Sequence, residues 1–241
     1  MQKGKLLYEG KAKKLYGTED DSLAVMHFKD DATAFDGEKK ASLEDKGLLN
    51  NAISSRFFQL LAESGIATHF REKISAREML VERVEIIPLE VVARNAAAGS
   101  LQERLGLKKG SILKSPILEF YYKSDELGDP LLNRHHIEFL GAADEELMQE
   151  LEDRALRIND ILREFLRERN IQLVDFKLEF GHNQAGDLLL ADEITPDTCR
   201  LWDGGSGRSL DKDRFRQDLG EVMAAYREIA DRLNIDTGEV K

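Results

Sequence analysis

The sequence has little cysteine, little proline and no long apolar run. Its single cysteine, Cys199, has no second thiol with which to form an intrachain disulfide or a thiolate zinc site. No segment approaches the ~20 consecutive apolar residues that a membrane span needs, and the first residues, MQKGKLLYEGKAKK, lack the apolar core of a secretory signal. We therefore expect a cytoplasmic protein that has no membrane partner and uses Cys199 for packing.

The balance of charge is acidic. The 241 residues include 35 Lys and Arg against 46 Asp and Glu, which gives a formal net charge of −11. Such a chain has no general positive field with which to hold a nucleic acid, so we expect no nucleic-acid partner. Any anionic ligand must be bound by a local group of basic residues.

The hydrophobic pattern predicts an α+β fold. Short strands separated by glycines fill the first forty residues, an amphipathic helix follows from Ser42 to Gly65, and strands return between Glu78 and Arg94. Apolar residues at helical spacing predict a long helix over 148–165 and a second one over 215–233. Between them, LVDFKLEFG and LLLADEI flank a turn at 183–187 and predict a β-hairpin.

The hairpin carries the strongest candidate site. Asp175, Lys177 and Glu179 alternate with apolar residues and so share one face of their strand. A solvated outer face is the common explanation of this pattern. However, the partner strand is apolar throughout and ends at Asp192 and Glu193, and the hairpin would bring Asp192 near Glu179, as a Mg²⁺ site for a nucleotide enzyme requires. Lys177 would either offset the repulsion between these carboxylates or reach a substrate carboxylate.

Two further segments favour anion binding. In EGKAKKLY, Lys11 and Lys13 are two residues apart, so we expect them on one face of a strand beside the turn at Gly10. This arrangement suits phosphate contacts, although lysines on an edge strand also protect against aggregation. In VVARNAAAGSL, Arg94 precedes a run of small residues and Ser100, which together would form an anion site; the alternative is that Arg94 only forms a salt bridge beside a helix start. No P-loop motif is present.

Several segments together resemble one family. They are GKAKKLY, DDATAFDGEKK, PLEVVARNAAAGSL, YYKSDELGDPLLN, VDFKLEFG and ADEITPDTCRLWD followed by DKDRFR. In this order and spacing the chain resembles, over nearly its whole length, the SAICAR synthetases of the short bacterial kind. The resemblance implies a two-lobed fold, with an N-terminal antiparallel sheet lobe and one helix in residues 1–85, a larger α+β lobe in residues 86–241, and ATP in the cleft between them.

The resemblance also implies an activity. These enzymes use ATP and Mg²⁺ to join L-aspartate to the carboxylate of carboxyaminoimidazole ribonucleotide (CAIR), giving SAICAR, ADP and phosphate in purine biosynthesis. All three substrates are anions, so an acidic chain would have to gather its cations at one place. A homodimer is also expected from the resemblance.

Matching the motifs residue by residue gives an expected role for each site residue. The resemblance assigns ATP binding to Gly10, Lys11, Lys13, Glu82 and Val84. It assigns Mg²⁺ to Glu179 and Asp192, the ribonucleotide 5′-phosphate to Arg94, Ser100 and Arg200, and substrate binding without a specified partner to Asp36. It assigns the reacting groups to Lys177, Asp175 and Lys123. Two other classes remain as alternatives, a small-molecule kinase that leaves a stable phosphorylated product and a nucleotide-binding module without turnover.

Overall fold

The computed structural model describes residues 3–34 and 38–236, and Asp36 therefore lies outside the described residues. The elements before residue 84 are β1 (Leu6–Glu9), β2 (Lys13–Gly17), β3 (Leu23–Phe28), β4 (Asp31–Ala34), β5 (Lys39–Ser42), α1 (Lys46–Glu63), β6 (Phe70–Lys73) and β7 (Glu78–Glu82). The later elements are β8 (Glu85–Ala96), α2 (Gly99–Leu105), β9 (Ile112–Tyr122), β10 (Leu131–Leu132), α3 (Arg134–Leu140), α4 (Glu145–Arg167), β11 (Ile171–His182), β12 (Leu188–Ala191), β13 (Cys199–Asp203), α5 (Asp213–Arg216) and α6 (Val222–Arg232).

Two antiparallel sheets dominate the fold. The first has the strand order β1-β2-β3-β7-β6, and β4 and β5 form a separate hairpin. The second has the order β10-β9-β8-β11-β12, and β13 pairs with the N-terminal part of β11. The fold is therefore α+β, as the sequence predicts. Strand β7 belongs to the first sheet, and β8, the next strand along the chain, belongs to the second.

The helices cover these sheets. Helix α4 packs against β11 and β8, whereas α1 packs against the first sheet, α4 and α6. One large hydrophobic cluster contains buried residues of both sheets and of these helices. No helix within residues 3–34 and 38–236 combines the length and the apolar character that a membrane span needs.

Most predicted elements are confirmed. Helix α1 ends just before Gly65, whose φ of 77° is the left-handed value that favours glycine after a helix. Helix α4 and the hairpin of β11 and β12 also lie where the sequence places them. Strand β2, however, lies between β1 and β3, so the interpretation of its lysines as edge-strand protection is wrong.

The prediction of one long helix over 215–233 is also wrong. The chain forms α5 and α6 instead, and Asp218, Gly220 and Glu221 between them have φ values of 54°, 68° and 50°. Positive φ is incompatible with a right-handed helix. The buried Arg214 guanidinium donates to the carbonyls of Leu219 (3.1 Å) and Gly220 (2.8 Å), so it satisfies backbone acceptors at the break.

Candidate active site

A cleft of about 1560 Å³ is lined by residues of both sheets. Every predicted site residue within the described ranges lines it, namely Gly10, Lys11, Lys13, Glu82, Val84, Arg94, Ser100, Lys123, Asp175, Lys177, Glu179, Asp192 and Arg200. The predicted residue Asp36 lies outside these ranges. Two groups of charged residues in the cleft lie around β11, one at each half of the face that this strand turns toward the cleft.

The first group, here called the lysine–carboxylate cluster, comprises Lys13, Lys123, Lys177, Glu90, Glu179, Asp192 and Glu193. Its centre is Glu179, which is only 3 % exposed and faces Glu90 across the pairing of β11 with β8. Lys123 donates to Glu179 Oε1 (2.8 Å), and Lys177, two residues earlier on the same face, contacts the same oxygen. Lys177 Nζ also lies 3.0 Å from Glu90 Oε1.

The end of β12 completes this cluster. Glu179 pairs with Ala191, so the chain leaves the sheet at Asp192, whose φ of 62° is in the left-handed region. Asp192 Oδ2 lies 3.3 Å from Lys177 Nζ, and Lys13 reaches across from β2 to contact Asp192 and Glu193. The predicted approach of Asp192 to Glu179 is therefore confirmed, because both carboxylates contact one ammonium group.

Mutual attraction keeps Glu179 and Lys177 ionised. Burial alone would raise the pKa of Glu179, but the charges of Lys177, Lys13 and Lys123 outweigh it and lower the pKa to about 2. Burial likewise opposes the charge of Lys177, and the neighbouring Glu179 and Glu90 raise its pKa above the usual value instead. The cleft therefore holds fixed charges of both signs at neutral pH.

The second group, here called the guanidinium cluster, comprises Arg94, Arg200, Asp175, Glu119, Ser100 and Asp213. Asp175 is paired with Arg94 of β8 and with Arg200 of β13, so one buried carboxylate lies between two guanidinium groups. Arg94 donates to Asp175 Oδ2 (2.8 Å), Glu119 Oε2 (2.5 Å) and Ser100 Oγ (3.1 Å). Arg200 Nη1 donates to Asp175 Oδ2 (2.9 Å).

The start of α2 is shaped to admit Arg200. Gly99 has a φ of 52°, and a Cβ at this position would lie 2.5 Å from Arg200 Nη2. Any other residue would therefore displace the guanidinium group. The small residue at this point of VVARNAAAGSL therefore leaves room for a second guanidinium group beside Ser100.

Burial decides between the alternatives that the sequence leaves open. Asp175 and Glu179 are each 3 % exposed, so the solvated outer face is the wrong explanation of the charged side of β11. Arg94 does form buried salt bridges, as one alternative has it, but it also contacts Ser100 and lines the cleft. Cys199 is buried among core residues, and burial raises the pKa of its thiol.

The two N-terminal lysines differ in position. Lys13 is the first residue of β2, whereas Lys11 precedes the strand, so the expectation that both lie on one strand face is wrong. Lys11 reaches Asp125 (2.9 Å), in the short turn after β9. Glu82 accepts from Arg71 and from Asn183 Nδ2 (2.8 Å), so its side chain is engaged beside the cleft.

Sequence reasoning missed several polar residues of the site. Glu119 of β9 is buried and also contacts Arg104 and Tyr121 beside Arg94. Asp197 lines the cleft and forms an ion pair with the fully buried Lys46 of α1 (2.5 Å). The sequence gives no sign that these residues contact each other, because the two members of each pair lie on elements far apart in the chain. The alternation of Glu119 and Tyr121 in a strand beside Arg94 was the one available signal.

Comparison with known proteins gives a consistent result. The sequence model of the SAICAR synthetase family matches residues 6–233. A phosphoribosylaminoimidazole-succinocarboxamide synthase of Coprothermobacter proteolyticus is 58 % identical over 233 residues, which cover 97 % of this chain and 99 % of the relative.

Solved structures agree with the sequence match. The crystal structure of the synthase of the same name from Ehrlichia chaffeensis has a TM-score of 0.94 and 46 % identity, and the match covers 96 % of this chain and 99 % of that one. A SAICAR synthetase solved in complex with ADP has a TM-score of 0.91 and 52 % identity, with 94 % and 96 % covered. With the family match spanning nearly all of the sequence and the same fold in these relatives, the chain belongs to the SAICAR synthetase family.

Proposed function

We propose that this protein is the ligase that joins L-aspartate to the carboxylate of CAIR with ATP, giving SAICAR, ADP and phosphate in purine biosynthesis. The observation that supports this most is that β11 carries both charged clusters on one face of the cleft. Asp175 and Glu179 are four residues apart, which separates their Cα atoms by about 13 Å along the strand. Two anion-binding centres at this separation suit a ribonucleotide 5′-phosphate at one end and the phosphates of ATP at the other.

The ATP side is the lysine–carboxylate cluster and the first sheet. Lys11 and Lys13 would contact the phosphates beside Gly10, and Glu82 and Val84 lie where the adenine would meet the cleft wall. The relative solved with ADP supports nucleotide binding by this fold. ATP would displace the carboxylates of Asp192 and Glu193 from Lys13, and Asp192 also belongs to the metal site proposed next.

Mg²⁺ fits the carboxylates of this cluster. Within the described ranges no three His, Cys, Asp or Glu side chains form a ready metal cage. In nucleotide sites, however, one or two carboxylates suffice, with phosphate oxygens and water as the other ligands. Glu179 and Asp192 already share one cationic group, Lys177 Nζ, so their oxygens converge on a position that a cation favours. When bound to them, Mg²⁺ would offset charge on the transferring phosphoryl group.

The guanidinium cluster would hold CAIR. Arg94 and Arg200 present planar donor groups that match phosphate oxygens, and Ser100 adds a hydroxyl at the start of α2. Asp36, outside the described residues, stays a predicted substrate-binding residue. Asp175 would orient the two guanidinium groups and approach the imidazole substituents.

The chemistry needs an activated carboxylate. A carboxylate does not react directly with an amine, because oxide is a very poor leaving group; an oxygen of the CAIR carboxylate therefore attacks the γ-phosphorus of ATP, and ADP leaves. The amine of L-aspartate then attacks the acyl carbon, the bond to the phosphate oxygen breaks, and the amine loses a proton. Lys13, Lys123 and Lys177 would stabilise charge on the moving phosphoryl group, and one shared cleft holds the reactants together.

We also propose two lobes, residues 1–85 and 86–241, with the site between them. The change of sheet between β7 and β8 supports this division. We propose a cytoplasmic location because the single cysteine is buried and forms no disulfide, as is usual for proteins of a reducing compartment.

A homodimer is proposed through the face formed by β10 and α3. There, at the edge of the second sheet, Leu131, Phe139 and Leu140 are 44 %, 90 % and 45 % exposed. Sedimentation should show a dimer that Phe139→Glu weakens and that Leu156→Glu, an exposed change on α4, leaves intact. A monomeric parent protein would contradict the proposal.

The activity is tested by ADP release. We expect ADP to form only when CAIR and L-aspartate are both present, with one SAICAR for each ADP. ADP formed without L-aspartate, together with a stable phosphorylated product, would indicate the kinase alternative. Binding of ATP without any turnover would indicate the binding module.

The metal site is tested by neutral replacements. Glu179→Gln and Asp192→Asn should abolish Mg²⁺-dependent turnover while circular dichroism shows an intact fold. Glu146→Gln, at an exposed carboxylate of α4, is the matched control and should retain activity. Near-normal turnover by either site variant would refute the assignment.

A further inference from the structure

Lys212 lines the cleft, and the part of the chain that the structure describes gives its charge no partner. It directly precedes α5, its N–H donates to the carbonyl of Pro196 (3.0 Å), and its side chain is half-buried. Within residues 3–34 and 38–236, no hydrogen bond or ion pair engages its ammonium group. The lysines of the lysine–carboxylate cluster, by contrast, each contact at least one carboxylate.

The nearby carboxylate of Asp197 already has three other partners. Its Oδ1 accepts from the hydroxyl of Tyr226 (2.7 Å), and its Oδ2 accepts from Asn50 (2.9 Å) and contacts Lys46 Nζ (2.5 Å). The charge of Asp197 acts on Lys212, but among the contacts of the described residues no hydrogen bond or ion pair joins the two side chains. A half-buried ammonium group with free donors is costly unless an anion arrives to accept from it.

The position of Lys212 indicates which anion this is. Its N–H donates to the carbonyl of Pro196, three residues after Glu193 of the lysine–carboxylate cluster, and the next residue, Asp213, binds Arg200 of the guanidinium cluster. Arg216 shares Asp213 with Arg200 of the guanidinium cluster, at 2.7 Å and 2.8 Å. Lys212 therefore lies between the place proposed for the ATP phosphates and the place proposed for the ribonucleotide phosphate. The remaining substrate, L-aspartate, has two carboxylates, and its amine must reach the activated carbon of CAIR. This place between the two phosphate sites is where we expect it to bind.

We infer that Lys212 binds a carboxylate of the amino-acid substrate, L-aspartate, and so positions its amine for attack. The inference rests on the proposed function. It assigns to Lys212 a role separate from those of the phosphate-binding cations, because its ammonium group is the half-buried cation of the cleft that the described protein leaves without a carboxylate.

The test separates the three substrates by their KM values. Lys212→Met removes the charge and keeps most of the side-chain length, so the KM for L-aspartate should rise about 10- to 100-fold, as expected for the loss of one hydrogen bond between charged groups. The KM values for ATP and CAIR should stay close to those of the parent protein. Lys114→Met, at an exposed position of β9 outside the cleft, is the matched control and should change none of them.

A conservative variant guards against a merely structural effect. Lys212→Arg keeps the charge and should recover most of the affinity for L-aspartate, and Lys212→Gln replaces Lys212→Met if circular dichroism shows that the latter is unfolded. An unchanged KM for L-aspartate, an equal rise for all three substrates, or a loss of turnover that high L-aspartate does not reverse would overturn the inference. Failure of the parent protein to release ADP with all three substrates would instead overturn the proposed function.

Discussion

His69 shows how a single buried residue contributes to the pH dependence of stability. Its side chain is 3 % exposed, packs against Phe58 with the ring centroids 5.2 Å apart, and lines the cleft near Lys13. Burial and, to a smaller extent, the charge of Lys13 lower the pKa of His69 from 6.5 to about 3. The imidazole is therefore neutral in the folded protein at every pH at which the fold is expected to persist.

The predicted consequence is a loss of stability in mild acid. Below pH 6.5 the unfolded chain binds a proton at His69 that the folded chain does not bind, so the free energy of unfolding falls with falling pH until the folded pKa near 3 is reached. The slope is up to about 1.4 kcal/mol per pH unit, or about 2 kcal/mol between pH 6.5 and 5. His69→Gln should remove this part of the pH dependence in urea unfolding at pH 7.5 and 5. If the parent protein and the variant lost the same free energy of unfolding between pH 7.5 and 5, the prediction would be contradicted.

At the same scale, the sequence predicted the residues whose geometry is local. Asp175, Lys177 and Glu179 are two apart on one strand, so their common face follows from the period of a strand alone. The contact of Glu119 with Arg94 could not be predicted, because Arg94 lies 25 residues earlier on another strand. The ion pair of Lys46 with Asp197 was equally hidden, since it depends on how α1 docks against the rest of the fold.

At the scale of elements, the spacing of apolar residues predicted where the helices lie better than whether each helix is unbroken. The apolar stripe over 148–165 corresponds to α4, whose buried side chains repeat at helical spacing. The stripe over 215–233 has the same spacing, yet Leu219 within it is 49 % exposed and the helix is interrupted. The stripe could not reveal this break, because it depends on Arg214 binding the carbonyls of Leu219 and Gly220.

Helix α4 offers a direct test of the burial that holds it. Leu151 is fully buried, whereas Leu156 on the same helix is 37 % exposed. Leu151→Ala should lower the free energy of unfolding by about 2–5 kcal/mol, because it removes apolar contacts and leaves a cavity. Leu156→Ala, with the same change in helix propensity, should cost less than about 1 kcal/mol. Equal losses in urea unfolding would show that α4 is not held by its buried face.

At the scale of the molecule, the two proposed lobes share one hydrophobic interior. Helix α1 precedes the proposed boundary but packs against α4 and α6, which follow it. The same cluster contains Phe58 and Met79 from before the boundary and Phe176 and Tyr226 from after it. The side chains of Lys46 and Asp197, both buried, join the two parts with opposite charges. The division therefore concerns the sheets that form the cleft, whereas the core is continuous.

The protein should accordingly unfold as one unit. In calorimetry we expect a single transition whose van't Hoff enthalpy matches the calorimetric enthalpy. A fragment of residues 86–241 should not fold cooperatively, because without α1 it exposes apolar side chains of α4 and α6 and leaves the buried Asp197 without Lys46, a loss worth about 3–5 kcal/mol by itself. Two separate transitions, or a fragment with native circular dichroism and a cooperative urea transition, would show instead that the lobes are independent and that the cleft lies between two autonomous domains.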